Sequence, residues 1–91
     1  MVKTHDFGSG LVPAHQHING GGWVAETAVV SALVYVGLHA QIYENAQVRD
    51  YARVHGNERV YGNALIYGNV QVCGNALICG NAQVYGSAFH S

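Results

Sequence analysis

Histidine and cysteine carry most of the chemistry open to this chain, which has six histidines and two cysteines among 91 residues. Imidazole is both the commonest metal ligand and the commonest general base. His15 and His17 form an HxH pair and are the candidate metal-ligating residues. Zinc sites take three or four protein ligands, and the pair adjoins no CxxC and no further ligand cluster. No resident cofactor is therefore expected, and no residue is assigned a catalytic role. Cys73 and Cys79 fall at equivalent places in successive hexapeptides, a spacing whose meaning depends on the elements that carry them.

The composition narrows the classes of partner. Only 10% of the residues are charged and the formal net charge is −1. A sequence-independent nucleic-acid binder needs clustered Lys and Arg to neutralise phosphates, so no nucleic-acid partner is expected. No apolar run approaches the length of a membrane span, and the start Met1-Val2-Lys3-Thr4-His5-Asp6 lacks the apolar core of a signal peptide. These features predict a cytoplasmic protein with no membrane partner. Twelve glycines with a single proline in a chain 49% hydrophobic predict repeated tight corners around a packed core rather than a disordered linker.

The elements follow from a period of six. Val24, Val30, Val36, Ile42, Val48, Val54, Val60, Ile66, Val72, Ile78 and Val84 are all β-branched aliphatics, and ten of the eleven positions four places further on are Ala or Val. Gly-Asn recurs at 56/57, 62/63, 68/69, 74/75 and 80/81. Apolar spacing that alternates four and two does not suit a helix. Alternate positions on an extended segment share a face, so Ala46 and Val48 point inward together. Gly-Asn then supplies a corner, because both residues tolerate positive φ. Each hexapeptide is a short strand plus a bend, and stacking the units makes a continuous core.

This pattern resembles the hexapeptide-repeat family. The resemblance implies an all-β, left-handed parallel β-helix, a triangular solenoid in which three hexapeptides close one coil. The family's second repeat position, normally Gly, Ala, Glu or Asp, holds Tyr43, Arg49, His55, Tyr61, Tyr67, Cys73, Cys79 and Tyr85 here. Extending the register back to Ile18, with Gly22 at its small position and Asn19-Gly20-Gly21 as first corner, predicts four coils over 18–89. Residues 1–17 are then an irregular N-terminal segment covering the first coil, and 18–91 the β-helix.

Stacking each coil on the next predicts inward columns of Val24/Ile42/Val60/Ile78, Val30/Val48/Ile66/Val84 and Ile18/Val36/Val54/Val72. It also predicts corner ladders of bonded Asn amides, Asn45/Asn63/Asn81 and Asn57/Asn75. Two outer faces are rich in apolar and aromatic area, and Trp23, Tyr43, Tyr61, Leu65, Tyr67, Leu77 and Tyr85 are the candidate interface residues. Cys73 and Cys79 fall on adjacent faces, too far apart for a disulfide. Glu58 takes an inward small position. A buried carboxylate is costly unless bonded, so the expectation is a local bulge that turns it to solvent; the alternative is a carboxylate held inside for a bound group.

The resemblance first suggests an acyltransferase, in which a histidine such as His15 or His55 would act as base. The period runs uninterrupted from Val24 to Val84, with no loop to build a lid, and sites normally live on loops. A second enzyme reading is a carbonic-anhydrase-like trimer with zinc at a subunit boundary, but the coils lack its closely spaced histidine ligands. The segment 13–25 also resembles the lead-in of small phage, prophage and bacterial hexapeptide-repeat proteins. The reading reached is a non-enzymatic structural or protein-binding module, homo-oligomeric and by resemblance trimeric, phage-derived and acting on a host protein.

Overall fold

A hexapeptide with one aliphatic and one small inward residue has room for only a very short strand before it bends. The computed structural model, which describes residues 3–72, 74–75, 77–85 and the backbone of 89–90, is assembled from such strands. Two N-terminal strands, β1 (Thr4–Asp6) and β2 (Leu11–Gln16), precede β3 (Trp23–Ala25). A run of minimal strands follows: β4 (Val29–Val30), β5 (Tyr35–Val36), β6 (Gln41–Ile42), β7 (Gln47–Val48), β8 (Arg53–Val54), β9 (Arg59–Val60), β10 (Leu65–Ile66), β11 (Gln71–Val72), β12 (Leu77–Ile78), β13 (Gln83–Val84) and β14 (Phe89–His90).

Strands β3, β6, β9 and β12 stack in parallel in one sheet, β4, β7, β10 and β13 in a second, and β5, β8, β11 and β14 in a third. Each strand pairs with the one three hexapeptides on, and three such steps lead from Trp23 through Gln41 and Arg59 to Leu77. The chain is an all-β parallel β-solenoid. Its core is the set of inward columns: Val24, Ile42, Val60 and Ile78 are buried, as are Val48 with Ile66 and Val36 with Val54 and Val72. Val30 and Val84 close the second column half-buried. Burying each of these side chains contributes roughly 1.5–3 kcal/mol, so the uniform columns are the main source of stability. The small positions Ala76 and Ala88 lie outside the described residues.

Three expectations are corrected. Ile18 does not head an inward column; it is 88% exposed. The chain reverses between β2 and β3, through bonds from His17 N–H to the Gly22 carbonyl (2.7 Å) and from Gly21 N–H to that of His17 (3.1 Å). Coming from an antiparallel strand, residues 17–22 cross over Val36 as a turn, and the coil register begins only at Trp23. Gly22 does hold its predicted tight place, since a Cβ there would lie 2.3 Å from the Gly37 carbonyl oxygen. Secondly, the N-terminal segment is a regular hairpin, with β1 antiparallel to β2 and β2 antiparallel to β3. It extends the first sheet, and β2 occupies the upper edge of β3, which would otherwise offer unpaired backbone groups.

The third correction concerns the corners. Coils are joined there by backbone bonds, such as Asn45 N–H to the Gly62 carbonyl (3.0 Å) and Asn63 N–H to that of Gly80 (2.8 Å). Carboxylates join in where the corner residue is not glycine. Glu44 and Asp50 adopt φ of 60° and 62°, and each accepts a bond from the backbone N–H one coil on, Gly62 and Gly68 respectively, at 2.9 Å. These contacts stand where stacked Asn amides were expected.

Candidate functional site

The candidate interface residues divide between two faces with different fates. On the first sheet, the outward side chains include Trp23, Tyr43, Tyr61 and Leu77. The hairpin lays its own rings against the upper part of this row. His5 stacks on Trp23 with centroids 4.5 Å apart, and Phe7 stacks on Tyr43 at 4.8 Å. Tyr43 in turn stacks on Tyr61 at 4.9 Å. Phe7, only 6% exposed, packs with Ala14 and Ala25 as a small second core against Trp23 and Tyr43. Ala25 is the small residue of the ladder, and it leaves the space that Phe7 fills. Below the ladder the neighbouring Cys79 thiol holds the Tyr61 phenol above its ordinary range, with desolvation, Tyr43 and Glu44 adding smaller pushes. Leu77 ends the face 59% exposed. Cys79 is a free, exposed thiol; Cys73 lies outside the described residues.

The second sheet has no such cover among the described residues. Tyr67 and Tyr85 stack at 5.2 Å, Leu65 is half-buried, and Val29 and Tyr85 are 55% and 57% exposed. The corner beside this sheet adds Leu33 and Tyr51, both well exposed and one coil apart. Trp23 and Tyr43 are thus engaged within the chain, whereas Leu65, Tyr67 and Tyr85 belong to an open face on which apolar side chains alternate with Gln47, Arg49 and Gln83.

Two concavities flank the hairpin. One, of about 300 Å³, is walled mainly by Phe7, Val12, Pro13 and Tyr43, with Glu26 and Glu44 also lining it. The other, of about 460 Å³, is polar. Here the coil register sets Gln41 above Arg59 and His39 above Asn57, while the hairpin brings His5 and its stacked Trp23. His5 and His39 are distant in sequence, and no spacing rule connects them; the meeting depends on the hairpin fold.

His15 and His17 are employed separately. His15 Nδ1 lies 2.8 Å from Glu26 Oε1, a half-exposed hydrogen-bonded pair. His17 is buried, with its Nε2 2.7 Å from the Val34 carbonyl oxygen. Among the described residues no three His, Cys, Asp or Glu side chains converge on a point that could hold a metal ion. Glu58 does not swing outward. It is completely buried at its small position below Ala40, because the backbone keeps strict register there: Gln41 N–H bonds the Glu58 carbonyl at 3.0 Å. In the hairpin, Asp6 accepts bonds from Gly8 N–H (2.7 Å) and Gly10 N–H (3.1 Å), which hold its carboxyl below the ordinary carboxylate value, with His5 helping.

Fold and faces together define a β-solenoid repeat protein. In agreement, residues 59–74 and 70–86 match the YdcK beta solenoid repeat. No curated protein and no solved structure matches the chain. Among the described residues no helix is long and apolar enough to cross a membrane.

Proposed function

We propose that this solenoid is a non-enzymatic structural or protein-binding module that works as a homo-oligomer in the cytoplasm. The observation that carries the reading is the open face of β4, β7, β10 and β13, where Val29, Leu65 and the Tyr67–Tyr85 stack lie uncovered beside Leu33 and Tyr51. Exposed aliphatic and aromatic area marks interaction sites; here it is interleaved with Gln47, Arg49 and Gln83, and tyrosine with arginine suits an interface core. The other aromatic face already has an occupant in the hairpin, so one face remains for a second copy. A trimer, a phage origin and a host-protein partner extend this reading through the resemblance to small hexapeptide-repeat proteins.

Light scattering tests it. A trimer mass that falls to the monomer mass in a Tyr67→Ala/Tyr85→Ala double variant is the expected result, and a monomeric wild-type chain would overturn it. The alternative is an acyltransferase-like enzyme. Acetyl transfer from acetyl-CoA that is lost in a His15→Ala or His55→Ala variant would establish that alternative.

A further inference from the structure

The apolar concavity where the hairpin crosses the first sheet is lined by two kinds of group that suit two parts of one ligand. Phe7 from the β1–β2 loop, Val12 and Pro13 from β2, and Tyr43 just after β6 wall a space of about 300 Å³. An apolar cavity of about 150 Å³ takes up benzene, so this cleft has room for a bicyclic ring. Glu26 and Glu44 also line it, and no Lys, Arg or His does. The register of β3 on β6 sets Glu26 one coil above Glu44, so two like charges share the site. Each carboxylate commits its Oε1 to the fold, Glu26 to His15 Nδ1 (2.8 Å) and Glu44 to the Gly62 N–H (2.9 Å), and keeps Oε2 for another partner. Both residues are exposed, which leaves these oxygens within reach of a molecule in the cleft. Stacked like charges are destabilising, and a cation beside them offsets that repulsion.

We propose that this cleft is a binding site for a small organic cation, a protonated amine carrying an apolar body of bicyclic size. The body packs against Phe7, Val12, Pro13 and Tyr43, and the ammonium donates to the Oε2 atoms of Glu26 and Glu44. Docking of the hairpin creates the site. The Glu26 N–H bonds the Pro13 carbonyl (3.0 Å) and the Thr27 hydroxyl bonds the Glu44 carbonyl (2.6 Å), which ties β2 to the first coil and that coil to the next. The proposal does not depend on the oligomeric reading of the second sheet.

The test uses naphthylmethylamine, with naphthylmethanol and naphthoate as neutral and anionic analogues built on the same ring. Titrations are followed by NMR of the isotope-labelled chain at neutral pH and physiological ionic strength, where exposed charges more than about 8 Å apart are screened. Each half-exposed ion pair changes affinity about two- to fivefold. With two attractions for the amine and two repulsions for the carboxylate, the amine should bind at least about tenfold tighter than naphthoate, with the alcohol between them. Shift changes should centre on Val12, Thr27 and Tyr43. The Glu26→Gln/Glu44→Gln double variant keeps both Oε1 acceptors and should bring the amine to within about threefold of the alcohol, with alcohol binding unchanged. Glu26→Gln alone, at an exposed position, should weaken only the amine. Equal or tighter naphthoate binding, a preference retained by the variants, shift changes centred instead on Tyr67 and Tyr85, or no saturable binding of the amine would each overturn the assignment.

Discussion

Gly62 and Gly80 occupy the same corner of successive coils, and replacing each by alanine separates the cost of the bend from the cost of the stack. Both have positive φ, 72° and 65°. A Cβ in this region costs about 1–2 kcal/mol, reduced by the roughly 0.4–1 kcal/mol that alanine gains by restricting the unfolded chain. At Gly80 an added Cβ meets no described atom within 4 Å, so Gly80→Ala should cost about 1 kcal/mol. At Gly62 the Cβ would stand 2.8 Å from the backbone nitrogen of Gly80. The coils must separate there, which strains the bond from Asn63 N–H to the Gly80 carbonyl, worth about 1 kcal/mol net, and loosens the packing on either side. Gly62→Ala should therefore lose about 2–4 kcal/mol, a fall in melting temperature of roughly 10–20 °C for a domain this size. Guanidinium and thermal unfolding followed by circular dichroism measure both variants. Equal losses at the two glycines, or a neutral Gly62→Ala, would refute the argument that the step from Gly62 to Gly80 leaves no room for a Cβ.

Phe7→Ala empties the space above Ala25 and should cost about 3 kcal/mol of hairpin docking, read as accelerated amide exchange in β1 and β2 with β6 to β12 still protected. Equal exchange throughout would mean that hairpin and coils unfold as one unit. Glu58→Ala opens a cavity below Ala40 and removes a buried polar side chain, so a loss of about 2–3 kcal/mol is expected; a higher melting temperature would show that burying the carboxylate outweighs what it contributes. For Asp6 the folded pKa is depressed. Its contribution to loop order is therefore present above the ordinary value of 3.8 and is lost as pH falls through the lower folded value. An NMR titration should place the Asp6 midpoint below 3.8, and Asp6→Asn should abolish the accompanying change at Gly8 and Gly10.

The regular part of the molecule could be read before folding because every repeat carries its own instructions. An aliphatic such as Ile42 and a small residue such as Ala46 recur at fixed offsets, and each stacks on its counterpart in the next coil. Errors arose where the repeat met a different kind of chain. Ile18 fits the period in type and spacing, yet the strand before it arrives antiparallel and turns it outward. The repeat pattern assigns the carboxylates of Glu44 and Asp50 no role, and their backbone bonds emerge only when the next coil's Gly62 and Gly68 lie beside them. The signal was present, since each of the two precedes a corner glycine by one full coil.

Sequence alone therefore determined the solenoid: the strands, the inward columns and the coil register, all consequences of side chains alternating along an extended backbone. Only the tertiary structure decided which aromatic face the N-terminal hairpin covers, that Glu58 stays inside, and that His5 and His39 meet beside Arg59. Those outcomes depend on how a non-repeating segment folds back on a repeating one, and no local spacing records that geometry.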